Sequence, residues 1–112
     1  MGLACILASF SHAGEFNAKV KPLLSQHCFA CHGPDARQRK ANLRLDIPPS
    51  ESGLEAERLS AIFGTGRDNS AIFARIVTHD LADRMPPEDK PGLAGSEIET
   101  IGHWLDGGAV YE

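Results

Sequence analysis

Apolar residues at Phe16, Val20, Leu23 and Leu24 recur at offsets of 4, 7 and 8, the spacing of one helical face, and predict a first helix running directly into a cysteine motif. Pro22 sits inside that pattern. A proline there removes a backbone donor and crowds the preceding turn, so the helix is expected to kink at residue 22 or to start as late as residue 21. From Gly33 to about Ser52 the periodicity fades into Gly, Pro, Asn, Ser and charged residues, which reads as loop with a short extended piece at Leu43 to Leu45. A modest helix is expected at Leu54 to Phe63, before the turn signal "GTGRDNS".

Asn69 or Ser70 can cap a clearer helix carrying Ile72, Phe73, Ile76 and Val77. It gives way to "HDLADRMPPEDKPGLAG", whose three prolines exclude a continuous helix. The last helix has the strongest signals. Ser96 with Glu99 three residues on makes a capping box, Ile98, Ile101 and Leu105 share a face with Trp104 beside it, and Gly107 and Gly108 stop it. Strand signals are nearly absent and no internal repeat is visible, so the fold class is all-α, about four to five short helices joined by long loops.

At 112 residues, 42% hydrophobic and 23% charged, the chain is the size of one ordinary soluble domain. A core that small often depends on a staple, metal or cofactor. The formal net charge is −4, from 11 Lys and Arg against 15 Asp and Glu. The cations are scattered rather than gathered in a stripe, which argues against a nucleic-acid partner.

The opening "MGLACILASFSHAGEF" has no acidic or basic residue before Glu15 and an apolar run from Leu3 to Phe10. Residues 1–13 are therefore expected to be the remnant of a secretory signal, leaving a mature part at 14–112. The positively charged start of such a signal is missing, which suggests a true start upstream of Met1 or a fragment of a longer protein. A buried strand or helix is the alternative for this run. Cys5 is a poor lipid-anchor site, with Gly2 where a lipobox usually has Leu. No run of eighteen or more apolar residues appears in the chain, so no spanning helix is expected. The expected location is periplasmic or secreted.

Cys28-Phe29-Ala30-Cys31-His32 has the C-x-x-C-H spacing by which two thiols can each add to one haem vinyl group, placing the adjacent histidine under the iron. A second axial ligand is then needed from later in the chain. Met85, in "RMPPE", lies 53 residues after His32. Pro86 and Pro87 would stiffen the backbone that presents its sulfur. His32 and Met85 are the expected metal ligands of one haem c per chain. His79, six residues before Met85, is the rival distal ligand, while His27 and His103 read as ordinary surface or capping histidines. Two other readings of the cysteine pair fit less well. A zinc site needs four ligands and the chain offers no second cysteine pair, and a thioredoxin-like thiol pair needs alternating strands and helices.

The succession "VKPLLSQHCFACHGPDARQRKANLRLD", "RMPP" and "IGHWLDGGAVY" resembles the planctomycete-type cytochrome c domain over roughly residues 16 to 111. The resemblance implies the cytochrome c fold wrapped around one covalent haem, with first and last helices crossing beside it. It assigns Cys28 and Cys31 to the thioethers, His32 to the proximal site and Met85 to the distal site. In "LRLD", Arg44 is a candidate partner for a haem propionate, with an exposed loop arginine as the alternative. Trp104 is expected at the helix crossing or the haem edge.

The resulting expectation is an electron carrier rather than an enzyme, a monomer serving a redox partner protein or a redox domain fused to it in a longer parent chain. The alternative is a haem-based sensor or peroxidase-like domain whose distal ligand leaves to admit a small molecule.

Overall fold

The computed structural model describes residues 15–112. The expected signal remnant at 1–13 and Cys5 lie outside the described residues. Among the described residues four α-helices follow one another, α1 Lys21–His27, α2 Ala56–Phe63, α3 Ala71–Val77 and α4 Gly95–Asp106, with short 3-10 turns at Pro49–Glu51 and Arg67–Asn69. Among the described residues there is no strand. The fold is all-α, with long loops between α1 and α2 and between α3 and α4.

The difficulty posed by Pro22 is resolved by a change of helix type. Phe16–Val20 forms a π-helical turn continuous with α1, and the Lys21 N–H donates to the Phe16 carbonyl five residues back. Pro22 then falls in the first turn of α1. A proline cannot donate into the preceding turn, and the departure from regular α-helix falls directly before it.

The expected apolar face is buried: Phe16, Val20 and Leu24 join Phe63 of α2, Ile76 of α3, and Ile101, Trp104 and Leu105 of α4 in one core. At its centre Phe16 lies 5.8 Å from Trp104 and 4.6 Å from Tyr111, ring centre to ring centre. Trp104 thus sits where the first and last helices meet. Its Nε1 donates to the Val110 carbonyl at 3.0 Å, so the indole N–H is satisfied inside the core. Glu15 faces His103 at 3.6 Å and His27 faces Glu97 at 3.4 Å, which shows that the two helices run in opposed directions.

Two expected caps come out differently. Ser70 caps α3, its hydroxyl accepting from the Phe73 N–H at 3.3 Å. The start of α4 is a correction: the cap is Ala94, two residues before Ser96, and the Glu97 carboxylate accepts the Ala94 N–H at 2.8 Å. Alanine offers no acceptor, so only half of a capping box forms. Glu99 is drawn instead to Arg67 at 2.9 Å. Leu43 to Leu45 pairs with no strand, but the Leu45 N–H donates to the His32 carbonyl at 2.7 Å, which lays this segment against the cysteine motif.

Candidate functional site

The cysteine motif forms a tight turn directly off the end of α1. The N–H groups of Cys28 and Phe29 donate to the Leu24 carbonyl, and the His32 N–H returns to the Cys28 carbonyl at 2.8 Å. Gly33 closes the turn so tightly that a Cβ there would lie 2.2 Å from the Phe29 carbonyl oxygen. Only a residue without a side chain fits. Beyond it, Arg39 donates from Nε to the Gly33 carbonyl at 3.0 Å and from Nη2 to the Pro34 carbonyl at 3.2 Å. The Lys40 N–H donates to the Cys31 carbonyl at 2.7 Å. The loop after the motif is thus tied back onto it.

Cys28, Cys31 and His32 of the motif line a cleft together with Ile76 of α3 and with Met85, Pro86 and Pro87 from the loop before α4. Met85, 53 residues from His32 in sequence, is therefore brought into the same cleft as the two thiols and the imidazole. The Met85 N–H donates to the Arg75 carbonyl at 3.0 Å, anchoring its loop to α3. His27, Lys40 and Lys90 also line the cleft. His79 is exposed and does not line it. His103 lies at the far end of the helix pair, beside Glu15.

His32 Nδ1 is buried and no acceptor closes a hydrogen bond on it. Burial pushes the imidazole below its ordinary value, while the nearby backbone of Lys40 and Leu43 opposes the shift. A neutral imidazole is the form that binds a metal. Burial, reinforced by Cys31, pushes the Cys28 thiol up to about 11. Burial thus disfavours the charged form of this thiol. Among the described residues no group of three or more His, Cys, Asp and Glu side chains is placed to hold a metal ion.

A family model described as planctomycete cytochrome C matches residues 28–89. The chain belongs to that family. The match starts at the first motif cysteine and runs just past the Met85 loop, so it covers all four candidate haem-binding residues of this planctomycete cytochrome C. No curated protein and no solved structure matches the chain. Family membership implies haem c and electron transfer, and the residues in the cleft fit that group: two thiols three apart, an imidazole with a lowered proton affinity, and a thioether in the same cleft. No helix among the described residues is long and apolar enough to cross a membrane.

Arg44 is placed differently from the other candidates. Its guanidinium is forked onto Asp46, Nε at 3.0 Å and Nη2 at 2.6 Å, and it does not line the cleft. The same pair holds the Asp46 carboxyl below the usual range. A propionate would have to share or displace that carboxylate. Two residues that pattern reading did not single out shape the site, Gly33 and Arg84. A glycine directly after the motif was the visible signal for the first. An arginine next to consecutive prolines, which cannot supply donors of their own, was the signal for the second.

Proposed function

We propose that the chain carries single electrons through one covalently attached haem c, with Cys28 and Cys31 as thioethers, His32 as the proximal ligand and Met85 as the distal ligand. The observation that carries this reading is the meeting of Met85 with Cys28, Cys31 and His32 in one cleft. Each thiol adds across a vinyl double bond: sulfur bonds to one carbon, the proton ends on its neighbour, and no electron is lost. Held by these residues, a haem would supply one-electron chemistry between ferric and ferrous states.

The protein's own work is to hold and tune. The Leu45 N–H on the His32 carbonyl fixes the backbone that presents the imidazole. The thioether of Met85 favours the ferrous state relative to a second histidine, which raises the reduction potential. With His32 and Met85 both given to holding the haem, electron transfer would require no acid, base or nucleophile of the chain. The proposed location is periplasmic or secreted, where haem is joined to cysteines, and the proposed partner is a redox protein or a redox domain of a longer parent chain.

Met85→Ala tests the assignment. The haem should stay covalently attached, the reduction potential should fall, and the ferrous protein should gain carbon monoxide binding that the parent lacks. A variant with the parent's potential and no gain in carbon monoxide binding would remove Met85 from the iron. A parent that binds carbon monoxide readily would favour the small-molecule sensor.

A further inference from the structure

The loop that presents Met85 is short of donors. Pro86, Pro87 and Pro91 have no N–H, so the loop has few backbone donors to offer its own carbonyls. Arg84 supplies the missing donors. Its Nε donates to the Pro86 carbonyl at 3.1 Å, and its Nη2 donates to the Pro87 carbonyl at 3.3 Å and to the Lys90 carbonyl at 2.6 Å. The Lys90 N–H closes the same turn onto the Pro87 carbonyl at 2.9 Å. On the far side, a Cβ added at Gly92 would be in van der Waals contact with Arg84 Nη1 at 3.4 Å, and a branched side chain there would reach further onto the guanidinium.

The guanidinium is thus the hub about which residues 84–92 close. Among the described residues it has no carboxylate within ion-pair distance, and its Nε and Nη2 donors serve the loop. The remaining tie on Met85 is its own N–H to the Arg75 carbonyl.

We propose that Arg84 is the positioning residue that keeps the Met85 sulfur on the iron, so that this fork, rather than Met85 alone, decides whether the distal site is closed to small molecules. The inference rests on the His32 and Met85 reading given above. Lysine keeps the charge but presents one nitrogen on a flexible stem and cannot span three carbonyls. Losing one or two of these hydrogen bonds should raise the population of the open loop roughly tenfold or more.

The test compares the haem-loaded parent, Arg84→Lys and Gly92→Val, the last crowding the guanidinium while leaving Arg84 and Met85 in place. Three properties are read on each: haem retained by the denatured chain, the red charge-transfer band of ferric iron bound to a thioether, and the rate of cyanide binding to ferric protein. Arg84→Lys should keep its covalent haem, weaken the band, and bind cyanide at least roughly tenfold faster than the parent. Gly92→Val should change the band and the rate in the same direction, and it decides the matter should Arg84→Lys fail to accumulate. A parent with the band, alongside variants with a full band and the parent's cyanide rate, would overturn the role of Arg84. A parent without the band would instead overturn the Met85 assignment itself, and this inference with it.

Discussion

Gly33 and Phe29 approach so closely that a Cβ on the glycine would lie 2.2 Å from the phenylalanine carbonyl oxygen. That contact is with backbone inside the turn holding Cys28, Cys31 and His32, and it cannot swing aside. Gly102 in α4 has a comparable clash at 2.6 Å, but with the guanidinium of Arg67, the far end of a flexible side chain. Gly33→Ala should therefore cost about 1–3 kcal/mol and lower haem loading. Gly102→Ala should change stability by no more than about 1 kcal/mol, because the helix gain from alanine offsets the loss of half-exposed pairs from Arg67 to Glu99 and Asp106. Urea midpoints and haem content on the two variants check this, and equal costs would contradict it.

Ala41 and Asn42 both adopt left-handed backbone, φ 55° and 52°, in the turn where the Leu43 N–H donates to the Lys40 carbonyl at 3.1 Å. Two such residues in a row make a turn that favours glycine or asparagine, and alanine is the costlier occupant. Ala41→Gly should stabilise the protein by up to about 1 kcal/mol, the relief of strain less the entropy that glycine adds to the unfolded chain. A urea midpoint below that of the parent would contradict the strain.

Four carboxyls lie below their ordinary values. The Arg44 guanidinium holds Asp46 down; the Ala94 N–H, then His27, does so for Glu97; Arg67 does so for Glu99 and, through its backbone N–H and then its side chain, for Asp106. A carboxyl whose affinity for protons falls on folding stabilises the fold above its unfolded value, here 3.8 for Asp and 4.5 for Glu, and that stability is lost as pH falls through the folded value. The urea midpoint should therefore be lower at about pH 3 than at pH 7. Arg67→Gln should narrow the gap by releasing Glu99 and Asp106, and an unchanged gap would contradict the Arg67 contribution.

Much of this was legible in the sequence because it depends on near neighbours. The face of Phe16, Val20 and Leu24, the cap at Ser70, and the helix ending at Phe63 follow from spacing and local hydrogen bonding. So does the cysteine motif. What escaped depends on distant parts of the chain. Spacing alone reads Glu99 as part of a cap, but Arg67, 32 residues away, competes for it, and Glu97 fills the local role. For Arg44 the sequence leaves a propionate partner and an exposed loop arginine both open, and only the folded loop shows its fork on Asp46 two residues on. The hub at Arg84 appears only once the Lys90 carbonyl and Gly92 are folded back onto it.

The most direct measurement is a denaturing gel stained for haem, run with an alkaline pyridine spectrum, on the chain exported from a bacterium with its c-type haem maturation system active, beside the Cys28→Ala/Cys31→Ala double variant. Haem that migrates with the denatured parent, shows the spectrum of two saturated vinyl groups, and is lost from the double variant is the expected result. A parent chain that emerges free of haem, while a control cytochrome matures in the same cells, would contradict covalent attachment at Cys28 and Cys31.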